Sequence, residues 1–376
     1  MPKHPSKSAL PHGVLLSVLS IVASSCGTLG WQTDADGMLH KHMEGSWRAL
    51  EAASAGDAWM AGSNGDWMHV LFEDHTTTVH LMNDRLGEAE GPEAPLHFRG
   101  IAVTSEAVLG TAIGSPAHIQ RAGILEDGRV ELPRLSTWVE PDSAVFMDAI
   151  LKLDDQHLIA MGDPIDSCLC VVRSEDGGQT WERISCAGPD GQGVPKSQPG
   201  EAAFAASNGN LAAAGDTVWM LSGGGASRVY RSTDMGRNWE VFPTPLLQGG
   251  TMTGGFSMDF ADAFHGIIWG GDWEDKPGQR GRGAVTQDGG ESWTLVAEGQ
   301  GPGYASSVRY RPGSGGQQIA LVGTPGGIDL SEDGGRTWSH FSDSAFYTAR
   351  FSPDGTVLWL AGNDKIGRVS CDTMGW

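Results

Sequence analysis

Asp148, Asp163 and Glu201 are the carboxylates of this chain best suited to work in pairs. Asp148 with either of the others could act as acid and as nucleophile or base in cleaving a glycosidic bond, which needs two carboxyl groups flanking one linkage. Arg48, Arg99 and Arg228 supply planar donors that match a carboxylate or another anion. Ser257, Asp272 and Ser307 complete a candidate ligand-binding set. Other chemistries find little support. The chain has no Gly-x-Ser-x-Gly nucleophile elbow. Ser222-Gly-Gly-Gly225-Ala-Ser-Arg228 lacks the Gly-Lys-Ser/Thr ending of a phosphate loop. His40, His42, His69, His75 and His80 have no spacing that fixes a metal geometry, so they read as surface histidines. Neither a metal nor a cofactor is expected. Lys276 to Arg282 (KPGQRGR) reads as a solvated basic loop.

The candidate residues run from position 48 to position 307, so they form a site only if the fold gathers distant segments. The repeats say that it does. Ser174-Glu-Asp176-Gly-Gly178-Gln-Thr180-Trp181 recurs around Asp234 and Trp239, Asp288 and Trp293, and Asp333 and Trp338. A short carboxylate accepting turn N–H groups, with Gly supplying positive φ, makes a hairpin turn, and the Trp then packs beside it. These aspartates are read as structural, because a repeated residue serves the repeated unit. Apolar strands ending in Gly form a second series, at Gly62, Gly114, Gly162, Gly223, Gly271, Gly323 and Gly362. A third series starts strands near Arg48, Arg99, Asp148, Glu201, Ser257, Ser307 and Thr348, about 50 residues apart.

Seven such units with room for four strands each predict an all-β, seven-bladed propeller in one domain over 26–376. The last unit is short, so residues after Cys26 are expected to supply its missing strand. In such a meander the starts of the innermost strands and the loops after the second strands share one end, opposite the Asp turns. That face would carry Arg48, Arg99, Asp148, Glu201, Ser257 and Ser307. Ser63, Asn64, Asp163, Asp166, Arg228, Asp272, Asn363 and Asp364 would join them from the loops. The first two units lack the Asp turn, with Phe72-Glu-Asp-His75 and Glu126-Asp-Gly128 in the corresponding places. Loops at 83–96, 186–200 and 273–283 should be surface excursions.

Composition agrees. The 55 Gly and 14 Trp argue against a helical bundle. With 39% apolar and 19% charged residues the chain can bury a core and is not a disordered polyelectrolyte. A net charge of −21 disfavours a general nucleic-acid binder. Lys3, Lys7, the apolar run Val14–Ala23 and the small residues before Cys26 read as a secretory signal over 1–25. Ala23-Ser-Ser-Cys26 points to lipidation of Cys26, which would be the only membrane attachment. Export places the chain in an oxidising compartment. Cys170 and Cys186 lie symmetrically about Asp176-Gly177-Gly178, so they are the candidate pair for a disulfide, with buried free thiols as the alternative.

The four-fold turn resembles the Asp-box, or bacterial neuraminidase repeat (BNR), of sialidase-like propellers. Together with Ala160-Met-Gly-Asp-Pro-Ile-Asp166, Pro199-Gly-Glu-Ala-Ala-Phe-Ala-Ala-Ser207, Ser222 to Val229, Gly255-Phe-Ser-Met258 and Gly270-Gly-Asp272, the chain is similar to exported bacterial BNR proteins related to the photosystem II assembly and stability factor. The resemblance is strongest over 144–341. It implies a module that binds a protein or glycan partner in the cell envelope, without established chemistry. A sialidase would add three arginines around one carboxylate and a tyrosine nucleophile. Here the tyrosines are Tyr230, Tyr304, Tyr310 and Tyr347, and His97-Phe98-Arg99-Gly100 lacks the Arg-Ile-Pro context. A glycoside hydrolase using Asp148, Asp163 or Glu201 is the alternative reading, ahead of an oxidoreductase, for which no redox motif exists. A purely structural envelope protein is the third.

Overall fold

The structure, a computed structural model, describes residues 30–73, 76–82, 95–126, 128–131, 134–140, 145–323 and 326–376. The expected leader, Cys26, Asp74 and His75, Asp127 and most of the 83–96 loop lie outside the described residues. What is described is antiparallel β-structure, interrupted among helical elements only by a 3-10 turn at Ser63–Gly65.

Strands follow one another in four-stranded meanders. The first set joins the second half of Leu39–Ser54 to Asp57–Gly62, Trp67–Glu73 and Thr76–Met82. The second runs His97–Val103, Ala107–Ile113, Ala117–Gly123 and Leu135–Glu140, and the third Met147–Lys152, Leu158–Ile165, Cys168–Ser174 and Glu182–Arg183. Leu211–Ala214, Thr217–Leu221, Arg228–Ser232 and Glu240–Pro243 form the fourth. The fifth is Thr253–Phe260, Gly266–Asp272, Gly283–Thr286 and Thr294–Val296. Ser307–Tyr310, Ile319–Gly323, Gly327–Ser331 and Ser339–Ser342 make the sixth. The last has Thr348–Phe351, Val357–Ala361 and Asn363–Ser370. Its outer strand is the first half of Leu39–Ser54, with Leu39 opposite Arg368 and Lys41 opposite Ile366.

The middle of the second strand of each set is predominantly apolar because both of its faces are covered. Trp59 and Ala61 pack on Phe98 and Ile101 of the second set, while Ala58 and Met60 pack on Trp359 and Ile366 of the last. Likewise Ile159 and Met161 meet Leu211 and Val218, while Leu158 and Ala160 meet Leu109 and Ile119. Burying such a side chain contributes about 1.5–3 kcal/mol. Alternation along one strand therefore stitches three sets together.

The Asp turns are closed by their own side chains. Asp176 Oδ1 accepts the N–H groups of Gln179 and Thr180 at 3.0 and 2.9 Å, and Thr180 Oγ1 donates to Oδ2 at 2.6 Å. Ser174 Oγ accepts the N–H of Gly178 at 2.8 Å. Gly178 has φ +81°, and a Cβ there would strike Leu109 of the preceding set. Asp234, Asp288 and Asp333 repeat the arrangement. Trp239, Trp293 and Trp338 donate their indole N–H to the carbonyl oxygens of Gly236, Gly290 and Gly335 in their own turns, whereas Trp181 donates to Thr137 Oγ1.

Two expectations need correction. The disulfide is Cys168–Cys186, with Cα atoms 5.5 Å apart, and Cys170 is not part of it. The hairpin ladder runs only from Val172 opposite Arg183 to Arg173 opposite Glu182, a register that would set Cys170 opposite Ser185. Cys170 points into the core shared with Leu109 and Ile150, and Cys186, beyond the ladder, reaches the start of the neighbouring strand instead. The second correction concerns Glu201, which does not begin an innermost strand. Glu201–Ala202 pairs with Gly223–Gly224, and the innermost strand of the fourth set is Leu211–Ala214.

Between them, residues 203–210 cross the place where the innermost strands converge. Asn208 Nδ2 donates to Ile101 O at 3.0 Å, and its Oδ1 accepts the N–H of Ile150 at 2.8 Å. Gly209 O accepts the N–H of Met258 at 2.8 Å. Ser207 Oγ donates to Ser306 O, and Thr348 Oγ1 donates to Ser207 O at 3.0 Å. One segment thus ties the second, third, fifth, sixth and last sets.

Candidate functional site

Four innermost strands slip register at the same level, between Trp47 and Ala49, Phe98 and Gly100, Met147 and Ala149, and Gly255 and Ser257. The residues so extruded are Arg48, Arg99, Asp148 and Phe256. A bulge leaves its extra residue outside the ladder and re-aims the side chain. A glycine on the second strand, opposite the bulge, lets the two backbones approach. A Cβ on Gly162 or Gly270 would collide with the carbonyl oxygen of Phe146 or Gly254.

Arg48 and Arg99 are half-buried and lean on the crossing segment. Arg48 Nη1 donates to Ala206 O at 3.3 Å and Arg99 Nη1 to Ala205 O at 3.5 Å, both long. The Arg48 guanidinium lies 3.7 Å from the centroid of the Tyr347 ring. Its Nε is buried without a hydrogen-bond partner. Among the described residues neither guanidinium has a carboxylate within 4 Å. Burial, and then the neighbouring charge of Arg48, bring the Arg99 guanidinium down to about 10. Two cations close enough to disfavour one another, at a half-open mouth, form a site that an anion would relieve.

Asp148 is fully buried. Burial pushes its carboxyl well above the ordinary range and Asp163 adds to the shift, while Arg99 and the Ala205 N–H oppose it. Asp148 Oδ2 is buried without a partner. Burial also raises Asp163, against the Ala203 N–H that donates to its Oδ1 at 3.1 Å. On the other side of the crossing segment stands an aromatic wall. Phe204 stacks on Phe256 at 4.1 Å, Phe256 meets Tyr304 edge-on at 4.8 Å, and Tyr304 meets Trp273 at 5.3 Å. Lys276 Nζ lies 3.8 Å from the Trp273 ring centroid.

No protein-family model matches the chain, and no curated protein matches it. Among solved structures it is similar to one described as "YCF48 bound to D1 peptide", with a TM-score of 0.59 and 16% identity, over 90% of this chain and 95% of that one. At that identity the likeness speaks for the fold alone. The fold is a β-propeller.

The propeller brings together Arg48, Arg99, Asp148 and Asp163, and takes other expected residues elsewhere. Glu201 and Arg228 meet each other. The Glu201 side chain is 0% exposed, Arg228 Nε donates to its Oε1 at 3.0 Å, Tyr230 OH donates to Oε1 at 2.9 Å and the Gln198 N–H to Oε2 at 2.7 Å. With every lone pair occupied, this carboxylate is not poised as an acid or a nucleophile. Ser257 and Ser307 face sideways: their hydroxyl oxygens accept the N–H of Val308 and Ala349, at 3.1 and 3.3 Å, on the next innermost strand. Asp272 closes its own loop onto the Glu274 N–H at 2.8 Å.

The remaining loop residues are tied locally. Ser63 Oγ accepts the Ser46 N–H at 3.0 Å, Asp166 pairs with Arg183 at 3.4 Å, and Asn363 Nδ2 donates to Asp364 at 2.7 Å. Asn64 holds φ 63° in the 3-10 turn. The KPGQRGR loop is not an open basic patch. Arg282 folds inward, donating from Nε to Gly278 O at 2.6 Å and from Nη2 to Asp275 O at 2.7 Å. His69 is buried, stacked on Trp59 at 3.8 Å and bonded to Asp57 Oδ1 at 2.8 Å. No His/Cys/Asp/Glu cluster among the described residues could hold a metal.

Sequence reasoning missed Tyr347, Tyr304, Phe204, Phe256 and the crossing segment. Phe256 was within reach, since it directly precedes Ser257 in the series that gave Arg48, Arg99 and Asp148. Phe204 stands in the Pro199–Ser207 string, but neither it nor Asn208 occupies a repeated position that would mark it as a site residue.

Proposed function

We propose that this chain is a seven-bladed β-propeller that binds a protein partner, exported by its leader and lipid-anchored at Cys26, and that the partner docks on the face carrying Arg48 and Arg99. The ring is supported by its cores. Each set shares a buried cluster with the next, and Trp47, Leu50 and Met60 of the first share one with Val357, Trp359 and Ile366 of the last. The repeated Asp turns then serve the blades, as Asp-boxes do.

The observation that carries the binding function is the arginine pair itself: two adjacent, half-buried guanidiniums held by long bonds to backbone oxygens, with no carboxylate at contact. An acidic side chain or other carboxylate of a partner would supply the charge-assisted bonds that the protein does not. The aromatic wall beside it offers the flat, rigid area from which protein contacts draw much of their energy. The similar fold of YCF48, described as bound to a D1 peptide, supports a protein partner over a sugar.

An array of acidic, neutral and basic twelve-residue peptides tests this. Acidic peptides should be captured by the mature protein and bound at least tenfold more weakly by the Arg48→Ala/Arg99→Ala variant, with an unchanged urea midpoint. Equal capture by both proteins overturns the proposal. Turnover of a glycan panel, abolished by Asp163→Asn, would put the hydrolase reading in its place.

A further inference from the structure

A cavity of about 200 Å³ opens between the fifth and sixth sets, next to the aromatic wall and distinct from the arginine pair. It is lined by Gln279, Gly303, Tyr304, Leu321, Gly326 and Asp329, among others. The charged group among the described lining residues is a carboxylate, Asp329. Asp329 belongs to the strand Gly327–Ser331, where Ile328 and Leu330 turn into the core shared with the last set, so the carboxylate turns the opposite way, toward the fifth set. Its side chain is 15% exposed, and Oδ1 is bonded to His340 Nδ1 at 3.1 Å. Gln279 spends one Nε2–H on Gly301 O at 2.8 Å, which leaves its amide oxygen as an acceptor and its second N–H as a donor.

We propose that this cavity is a binding subsite for one cationic side chain, a lysine or arginine of the docked partner, with Asp329 as its counter-ion. The volume is that of about six or seven waters, enough for the five heavy atoms of a lysine side chain or the seven of arginine. An anionic group would face the Asp329 carboxylate, and a neutral apolar one would bring that half-buried carboxylate no counter-charge. The net charge of −21 steers cations toward the surface.

The resident proton of His340 reports on occupancy. Hydrogen bonding to Asp329 raises the imidazole above its usual 6.5, and Asp343, whose Oδ1 is 3.0 Å from Nε2, raises it further. A cation on Asp329 removes part of that support. Binding therefore lowers the His340 pKa and tightens as pH rises through it. Asp329 and Asp343 are the charged groups on this imidazole, and Tyr304 is the other titratable group lining the cavity.

That the cation belongs to a docked protein rests on the function proposed above, but the subsite is tested without it. The probes are n-butylammonium and ethylguanidinium, with n-butanol as the neutral isostere, followed through the His340 imidazole resonances by NMR titration at pH 6 to 8. Both cations should shift the His340 titration to lower pH in the intact protein, and butanol should not. Asp329→Asn should weaken cation binding at least tenfold. So should Gly326→Leu, which fills the mouth: among the described residues a Cβ on Gly326 meets Tyr304 O at 4.0 Å, and an unchanged urea midpoint checks that this variant keeps the fold. Cation binding that survives either change, or that butanol matches, overturns the subsite. Arg48→Ala/Arg99→Ala should leave these titrations unchanged, so loss of the peptide reading and loss of the subsite are told apart.

Discussion

Replacing Arg228 with alanine separates a residue that holds the fold from one that waits for a ligand. The Glu201 side chain is 0% exposed and that of Arg228 11%, so the pair is nearly desolvated. Besides its bonds to Glu201, Arg228 Nη2 donates to Lys196 O at 2.8 Å. Arg228→Ala leaves a buried carboxylate with Tyr230 OH, Ser222 Oγ and the Gln198 N–H as its donors. Removing one partner of such a pair costs about 3–5 kcal/mol. Glu201→Gln keeps the side-chain volume and leaves the rim-side arginine able to reach water, so it should cost less, about 1–3 kcal/mol.

Urea unfolding followed by tryptophan fluorescence measures both. At a slope of about 3 kcal/mol per molar urea, Arg228→Ala lowers the midpoint by about 1–2 M. The double variant Glu201→Gln/Arg228→Ala should be more stable than the sum of the single losses, because the stranded charge is gone. Half-molar NaCl should change little, since a buried pair is poorly screened. A loss below about 1 kcal/mol for Arg228→Ala, additive with Glu201→Gln, is the behaviour of a surface pair. That result would refute the structural assignment and return Arg228 to the binding face.

Three further outcomes are expected. Asn208→Ala orphans the Ile150 N–H and the Ile101 carbonyl, at about 1–3 kcal/mol each, and should raise hydrogen exchange at Ile150; an unchanged midpoint would remove the crossing segment from the stabilising contacts. Cys168→Ser opens a crosslink spanning 18 residues and should cost about 3 kcal/mol, whereas Cys170→Ser should leave the crosslink intact when intact mass is measured with and without reductant. Although burial opposes it, the bonds from Ser292 and Thr286 hold Asp288 down to about 2. This folded-state value lies below the unfolded one, so its contribution is present above about pH 5 and lost as pH falls toward 2. Asp288→Asn should cost about 1 kcal/mol at pH 7, small because the side chain is solvent-screened, and should flatten the acid limb of stability against pH.

The repeating part of the fold was legible because its causes are local. The Asp turn closes with bonds inside seven residues, and the apolar second strand is set by having neighbours on both faces, so each unit prints the same string. Arg48, Arg99 and Asp148 were found because they occupy one place in that string, although the bulge that aims them was not visible. The reading failed where the chain breaks its own period. Glu201-Ala-Ala-Phe-Ala-Ala has the small and apolar character of an innermost strand, but its continuation bonds to partners more than 100 residues away, such as Ala206 to Arg48 and Asn208 to Ile101. Nothing local encodes such partners. The disulfide failed for a related reason: symmetry about a turn predicts register only while the ladder continues, and this one ends at Arg183.

The crossing segment also bears on what kind of ligand suits the arginine face. Residues 203–206 run beside Arg48 and Arg99 as a shelf, offering them the Ala205 and Ala206 carbonyls. Arg48 and Arg99 lean on the shelf through contacts of 3.3 and 3.5 Å, the long end of hydrogen bonding, which an incoming carboxylate can replace with shorter charge-assisted bonds at little loss. Tyr347 backs Arg48 from the side at 3.7 Å, and Phe204 and Phe256 fix the opposite rim by stacking. A site pre-set in this way pays little ordering entropy when occupied. A shallow floor flanked by a cationic rim and an aromatic wall fits a segment lying across it better than a molecule threaded into it. If the function proposed above holds, the same segment that pins the inner strands would favour an extended protein partner over a small anion.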